Sequence, residues 1–231
     1  MVLLDLSTAN LRNVTLNFPL YRGVEQVSVG LERGARIEPP PPYADDRPVV
    51  VYGTSITQGG CAARPGMAYT NILSRRLNRP FVNLGFSGSG RGEPEVARCV
   101  AAVPNPALFL LDYEANAWAD RQLERTLPGF IDILRERHAE TPILVVSKIR
   151  YPRELLEPDV LQGAADRRAF QRDLVDQRRA AGDANVHFLD GAGLLGDDFD
   201  ECTVDGSHPT TLGFWRMARG LEPALRRILS R

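Results

Sequence analysis

The run Val49-Val50-Val51-Tyr52-Gly53-Thr54-Ser55 decides how the rest of the chain is read. Consecutive apolar, mostly β-branched residues followed by glycine describe a strand buried on both faces with a sharp exit. Such a strand belongs to a sheet covered by helices on both sides. Working outward, Ala68 to Leu77 has helical spacing, Phe81 to Leu84 is again a strand, and Glu93 to Val103 again a helix. Ala107 to Tyr113, Ile143 to Ser147 and Val186 to Leu189 add further apolar strands. Helices are expected at about Gln122 to His138, Ala164 to Ala181 and Thr211 to Ile228. Strands alternating with helices in this way make a doubly wound α/β fold with a five-stranded parallel sheet. In that architecture ligands sit beyond the carboxyl ends of the strands, so the loops directly after each strand are the places to look for chemistry.

Upstream the pattern changes. Val14, Leu16 and Phe18 alternate with polar residues, as do Val27, Val29 and Leu31, with a turn expected near Gly23. These predict two half-buried strands, which alone are marginal in water. They need the main domain, a second copy of the chain in a homo-oligomer, or a further segment to cover them. Pro39-Pro40-Pro41-Pro42 is a stiff, extended stretch. The expected division is therefore a β segment over residues 1–38, a proline-rich linker over 39–47, and the α/β domain over 48–231.

Composition narrows the function. The chain has 231 residues, enough for one domain to bury a full core without disulfides or a metal. A formal net charge of -1 gives no basic excess for phosphate backbones or anionic lipid, so neither nucleic acid nor a membrane surface is an expected partner. The densest basic run, Arg167 to Arg179, is interleaved with Asp173 and Asp176 and reads as the solvated face of a helix. Three cysteines, Cys61, Cys99 and Cys202, suit neither a disulfide framework nor a zinc site. Reduced thiols imply a cytoplasmic setting; no signal-like or membrane-spanning apolar stretch is present in the sequence. No cofactor is implied.

Chemistry-bearing residues gather in the expected loops. Ser55 lies immediately beyond the first strand, in Gly53-Thr54-Ser55-Ile56-Thr57-Gln58-Gly59-Gly60. It is a candidate nucleophile, a helix cap, or part of an amide cradle for phosphate. Near the other end stands Asp205-Gly206-Ser207-His208-Pro209. An aspartate three residues before a histidine can curl back through a turn and hold one ring nitrogen, leaving the other to take a proton. A plain turn and a helix cap are the duller alternatives. His138 closes a charged helix and His187 sits inside a strand, with no carboxylate spaced to orient either, so His208 is the candidate base. After the second strand comes Asn83-Leu84-Gly85-Phe86-Ser87-Gly88-Ser89-Gly90, and after the third Asp112-Tyr113-Glu114-Ala115-Asn116, both able to supply donors to an oxyanion.

The four blocks in this order resemble the SGNH hydrolase superfamily, and YGTSITQGG, RPGMAYT and NLGFSGSGR are similar to its bacterial GDSL-like branch, in which a small β-rich domain precedes the hydrolase domain. The resemblance covers Val49 to Arg231 and implies a flavodoxin-like three-layer sandwich. It implies a serine esterase acting on small esters, with Ser55 as nucleophile, His208 as base and Asp205 as its partner. The amides of Ser55 and Gly88 and the side chain of Asn116 would form the oxyanion hole; Gly85 is the alternative to Gly88. The upstream strand pair looks like the tail of the family's preceding domain. Two departures stand out: Gly53-Thr54-Ser55 replaces Gly-Asp-Ser, and Glu114-Ala115-Asn116-Ala117 replaces Gly-x-Asn-Asp. The second puts Glu114, Tyr113 and Trp118 near the expected pocket, with Arg64 and Lys148 as further candidate substrate contacts. The expected substrate is a short acyl ester, acetyl foremost, of a carbohydrate or other polar alcohol. An acyltransferase using the same residues, an inactive ligand-binding module, and a phosphoacceptor built on Asp112 and Lys148 are the rivals. The last lacks the acidic pair that would hold magnesium after the first strand.

Overall fold

The computed structural model describes residues 10–230; residues 1–9 of the expected β segment lie outside the described residues. Five strands, β1 (Val49–Gly53), β2 (Phe81–Gly85), β3 (Leu108–Asp112), β4 (Ile143–Val146) and β5 (Val186–Leu189), form one parallel sheet in the order β2-β1-β3-β4-β5. Reversal of winding between β1 and β3 places the ligand crevice at their carboxyl ends. Registers are continuous there: Gly53 pairs across to Gly85 on one side and Asp112 on the other. The three loops that follow therefore leave the sheet at one level.

Alternation along β1 sorts its side chains between two cores. Val49 and Val51 face the layer made by α2 (Tyr69–Leu77) and α6 (Thr211–Leu229), where Leu73, Phe214, Leu221 and Leu225 are buried. Val50 and Tyr52 face α3 (Pro94–Ala101), α4 (Gln122–Arg137) and α5 (Pro158–Ala180), against Leu127, Phe130, Ile131 and Val175. Burial on both faces explains why these strands read as unbroken apolar runs, each large side chain contributing about 1.5–3 kcal/mol. In α6, Phe214, Met217, Ala218, Leu221 and Leu225 recur at three- and four-residue spacing, which lays one stripe on the core. Its start is set by Thr210, whose hydroxyl accepts from Gly213 N at 3.2 Å.

The predicted strand pair upstream is not formed. Residues 10–48 contain no strand, and Val14, Phe18, Val29 and Leu31 are all half or more exposed. The outer sides of the edge strands β2 and β5 stay unpaired, and neither takes up these segments as an added strand. A lone ribbon without a sheet to extend has too little apolar burial to offset its ordering. Instead, residues 17–21 lie against the loop that carries Ser55, through Leu20 and Tyr21.

Candidate active site

Ser55 opens α1 (Ser55–Gln58), a single turn leaving β1. Its cap is Thr54, whose hydroxyl accepts from Ile56 N at 3.2 Å. The threonine that stands where the family carries aspartate thus takes the capping task, and the Ser55 hydroxyl is left for other work. Ser55 Oγ lies 2.8 Å from His208 Nε2 and donates to it. His208 Nδ1 in turn lies 2.7 Å from Asp205 Oδ2. A carboxylate on Nδ1 assigns the proton to that nitrogen and leaves Nε2 as the acceptor.

Asp205 is held by the loop it sits in. Its Oδ1 accepts from His208 N at 2.8 Å and from Ser207 N at 3.0 Å, freeing Oδ2 for the imidazole. Val204 N donates to His208 O at 2.8 Å, and Thr203 bridges Pro209 in antiparallel fashion, so the loop is closed at its neck. Thr210 N reaches Cys202 O at 2.8 Å and ties the neck to α6. The backbone amide of His208 first, opposed by partial burial and helped by the imidazole, lowers the Asp205 pKa to about 2. The carboxylate is therefore charged at any working pH.

The oxyanion candidates meet on the same rim. Asn116 Nδ2 donates to Phe86 O at 3.3 Å, which brings the turn after β3 against the loop after β2. Within that loop Gly85 N is already used by Asn83 Oδ1 at 3.0 Å, Ser87 N by Gln58 Oε1 at 3.0 Å, and Ser89 N and Gly90 N by Phe86 O. Gly88 N has no such acceptor among the described residues, and the residue sits at φ 70°, a left-handed conformation that glycine adopts without strain. Of the two glycines left open by the sequence, Gly88 is the one with a free amide.

Several expected substrate contacts are not presented to a ligand. Tyr113 is buried against Tyr52 and Phe130, its hydroxyl 3.0 Å from Thr126 Oγ1. It follows β3 on the face covered by α4, so its side chain enters the core rather than the crevice. Glu114 is 2% exposed and fully engaged: Oε2 accepts from Lys148 N and Gln171 Nε2, both at 2.8 Å, and Oε1 from Arg167 Nε at 3.1 Å. It stands in for the family's glycine as an anchor that clamps the Asn116 turn to β4 and α5. Lys148 is buried on Glu154 and over the Tyr151 ring, and burial lowers its pKa. Arg64 and Trp118 remain exposed.

The phosphoacceptor alternative also fails. Asp112 is buried and accepts from Thr57 Oγ1 at 3.1 Å and Tyr69 OH at 2.9 Å, beneath α1. Burial raises its pKa to about 7, against the two hydroxyl bonds and with some repulsion from Glu114. Because the native carboxyl keeps a proton that the unfolded chain gives up near pH 4, its stabilising contribution is complete below about pH 4 and is lost as pH rises through 7. Asp112→Asn, which keeps an acceptor and cannot ionise, is expected to gain on the wild type in thermal midpoint between pH 5 and pH 8. An unchanged gap between the two proteins across that range would show that Asp112 does not titrate.

Asn83 and Asp112 were not predicted as parts of the scaffold. Asn83 Nδ2 donates to Thr57 O at 2.7 Å and Thr70 Oγ1 at 2.9 Å, fastening the loop after β2 to α1. A polar residue inside an otherwise apolar strand was the available signal. Among the described residues no group of three or more histidine, cysteine, aspartate or glutamate side chains is placed to hold a metal, and no helix is long and apolar enough to cross a membrane.

A hydroxyl, an imidazole and a carboxylate in line above a β2-β1-β3-β4-β5 parallel sheet are the arrangement of serine-type α/β hydrolases. The chain belongs to the GDSL-like lipase/acylhydrolase family, whose model matches residues 46–226. A protein from Bacteroides ovatus described as a GDSL-like lipase is similar at 35% identity and a TM-score of 0.74, over 80% of this chain and 54% of that one. The salicylyl-acyltransferase SsfX3 from a tetracycline biosynthetic pathway is 26% identical, with a TM-score of 0.67 over 80% of this chain and 55% of the other. A family two carbohydrate esterase from Clostridium thermocellum shares the fold at 17% identity and a TM-score of 0.62, covering 84% and 67%. The chain spans about half the length of the first two. No curated protein matches it.

Proposed function

We propose that the protein is a serine esterase that removes short acyl groups, acetyl foremost, from a carbohydrate or similar polar alcohol. The observation that carries this is the unbroken chain Ser55 Oγ, His208 Nε2, His208 Nδ1, Asp205 Oδ2, with links of 2.8 and 2.7 Å.

In the proposed mechanism, Ser55 Oγ attacks the ester carbonyl as its proton passes to His208 Nε2. The oxyanion so formed is met by the amides of Ser55 and Gly88 and by Asn116 Nδ2. Ser55 N is the first amide of α1 and Gly88 N lacks a protein acceptor, so neither must break a bond to serve. Collapse expels the alcohol, which takes the proton from His208, and an acyl-serine remains. Water then gives its proton to the same nitrogen as it attacks, and Ser55 recovers that proton as the acid departs. Asp205, charged throughout, stabilises the imidazolium in both halves.

Support for a polar alcohol comes from the rim. Phe86, whose carbonyl receives the Asn116 side chain, is 42% exposed, and Trp118, shortly after Asn116 in the chain, is 64% exposed. Exposed aromatic faces of this kind suit the apolar faces of sugar rings while the hydroxyls stay in water. The Clostridium thermocellum esterase crystallised with cellohexaose points the same way. Acyl transfer is the second reading, favoured by the likeness to SsfX3, a salicylyl-acyltransferase. It needs only that an alcohol replace water in the second half.

Acetyl, butyryl and octanoyl esters, with and without an added sugar acceptor, separate these outcomes. Acetate release from acetylated sugars at the highest kcat/KM supports the proposal, new ester formed on the acceptor favours transfer, and no turnover of any ester rejects both. Asn116→Ala is expected to lower kcat by about 10² to 10³, because a lost oxyanion donor acts in the transition state alone. An unchanged kcat would remove Asn116 from the oxyanion hole.

A further inference from the structure

Gln58, the last residue of α1, has no part in the proton transfers above, yet both ends of its carboxamide are in use. Nε2 donates to Leu20 O at 3.0 Å and Oε1 accepts from Ser87 N at 3.0 Å. Ser87 adjoins Gly88. One half-buried side chain therefore fastens the oxyanion loop to a segment 38 residues upstream in sequence.

That segment is seated on the serine loop. Gly59 closes α1 at φ 99°, and a Cβ there would lie 2.6 Å from Leu20 Cδ1, so the leucine packs where only glycine leaves room. Tyr21 OH donates to Ser55 O at 3.4 Å, a long bond. A Cβ built on Gly60 would lie 2.7 Å from that phenol oxygen and 3.4 Å from His208 Cδ2. The phenol and the imidazole edge thus flank the same glycine. Asn17 reaches the neighbouring turn, its Nδ2 3.3 Å from the Cβ position of Gly66.

Gly88, by contrast, has little to hold it. It is exposed, nothing lies within 4 Å of its Cβ position, and its own bond is from the exposed Arg91 Nε to Gly88 O at 3.0 Å, while Ser89 N, Gly90 N and Asn116 Nδ2 all close the turn on Phe86 O. The Ser87 amide is the nearest link from this turn to the rest of the molecule. We infer that Gln58 is a positioning residue for the oxyanion hole and that residues 17–21 are its anchor, so that a segment ahead of the α/β domain helps to set the geometry of catalysis. The inference rests on the esterase mechanism proposed above. Its physical basis is the steep dependence of rate on donor placement: a shift of about 1 Å lowers rate by up to about 10²-fold.

The test compares Gln58→Ala, Gln58→Glu and Ser55→Ala in the full chain, using 4-nitrophenyl acetate and a boronic acid that forms a tetrahedral adduct with the serine. Gln58→Ala is expected to lower kcat by about 10- to 10²-fold with KM nearly constant and a thermal midpoint within about 3 °C of wild type. Affinity for the boronic acid should fall by the same factor, which general loss of structure would not reproduce. Gln58→Glu, nearly the same size, keeps an acceptor for Ser87 N but sets a carboxylate against Leu20 O, and is expected to lose about tenfold in kcat. Wild-type kcat in Gln58→Ala overturns the inference while an inactive Ser55→Ala leaves the esterase mechanism standing. Wild-type kcat in Gln58→Glu alone removes residues 17–21 as the anchor. Full activity in Ser55→Ala overturns both.

Discussion

Ser55→Ala and His208→Ala are each expected to lower kcat on a short acyl ester by roughly 10⁴ to 10⁶, and the double variant by little more. The non-additivity follows from the mechanism: without the nucleophile the base has nothing to deprotonate, and without the base the hydroxyl is a poor nucleophile at neutral pH. Neither substitution should disturb the fold. The Ser55 side chain makes its hydrogen bond to His208, and Thr54 rather than Ser55 caps α1. Steady-state kinetics with thermal midpoints, and labelling by a fluorophosphonate, read the two effects apart. A loss below about tenfold for His208→Ala would end its role as the base.

Asp205→Asn is expected to lower kcat by about 10³ to 10⁴ while leaving the loop folded. Asparagine can keep an oxygen on the amides of Ser207 and His208, which hold Asp205 Oδ1 at 3.0 and 2.8 Å. Its NH₂ then faces His208 Nδ1, where the carboxylate oxygen stood at 2.7 Å. A donor against Nδ1 requires that nitrogen to be an acceptor, which moves the ring proton to Nε2. The nitrogen facing Ser55 would then donate rather than accept, and proton transfer from the hydroxyl would fail although every heavy atom is in place. Asp205→Ala, with no donor at that point, should be less impaired in tautomer and more disturbed in loop geometry. Equal kcat in Asp205→Asn and wild type would show that the carboxylate does not orient the base.

Strands and helices were legible because the strands are runs of mostly apolar residues and each gap between strands is long enough for a helix. Observed boundaries fall within a few residues for β1 to β5; the largest difference is α5, which begins at Pro158 instead of near Ala164 because Pro158 serves as a first-turn residue. The upstream strands were overread. Val14, Leu16 and Phe18 alternate as a strand would, but alternation reports only a tendency, and these exposed residues pair with neither open edge of the sheet.

Side-chain direction was the harder matter. Tyr113, Glu114 and Lys148 follow strands at the expected rim, so position in sequence brought them near the crevice. Which way each points depends on the helix packed beside it. Tyr113 is drawn into the aromatic cluster with Tyr52 and Phe130, and Glu114 is drawn to Arg167 and Gln171 of α5.

By itself the sequence determined the parallel α/β architecture, brought the loops that carry Ser55, Gly88, Asn116 and His208 to one end of the sheet, and made Asp205 a candidate partner for His208. All of these follow from local patterns: apolar runs, the loop after each strand, and a three-residue reach across a turn. Only the tertiary structure decided that Ser55 Oγ and His208 Nε2 meet at 2.8 Å, that Gly85 N is occupied and Gly88 N free, and that Leu20 docks on the serine loop through Gln58. The reason is physical. Those relations join groups up to 153 residues apart, and such distances are set by how the helices pack on the sheet, which no short stretch of chain encodes.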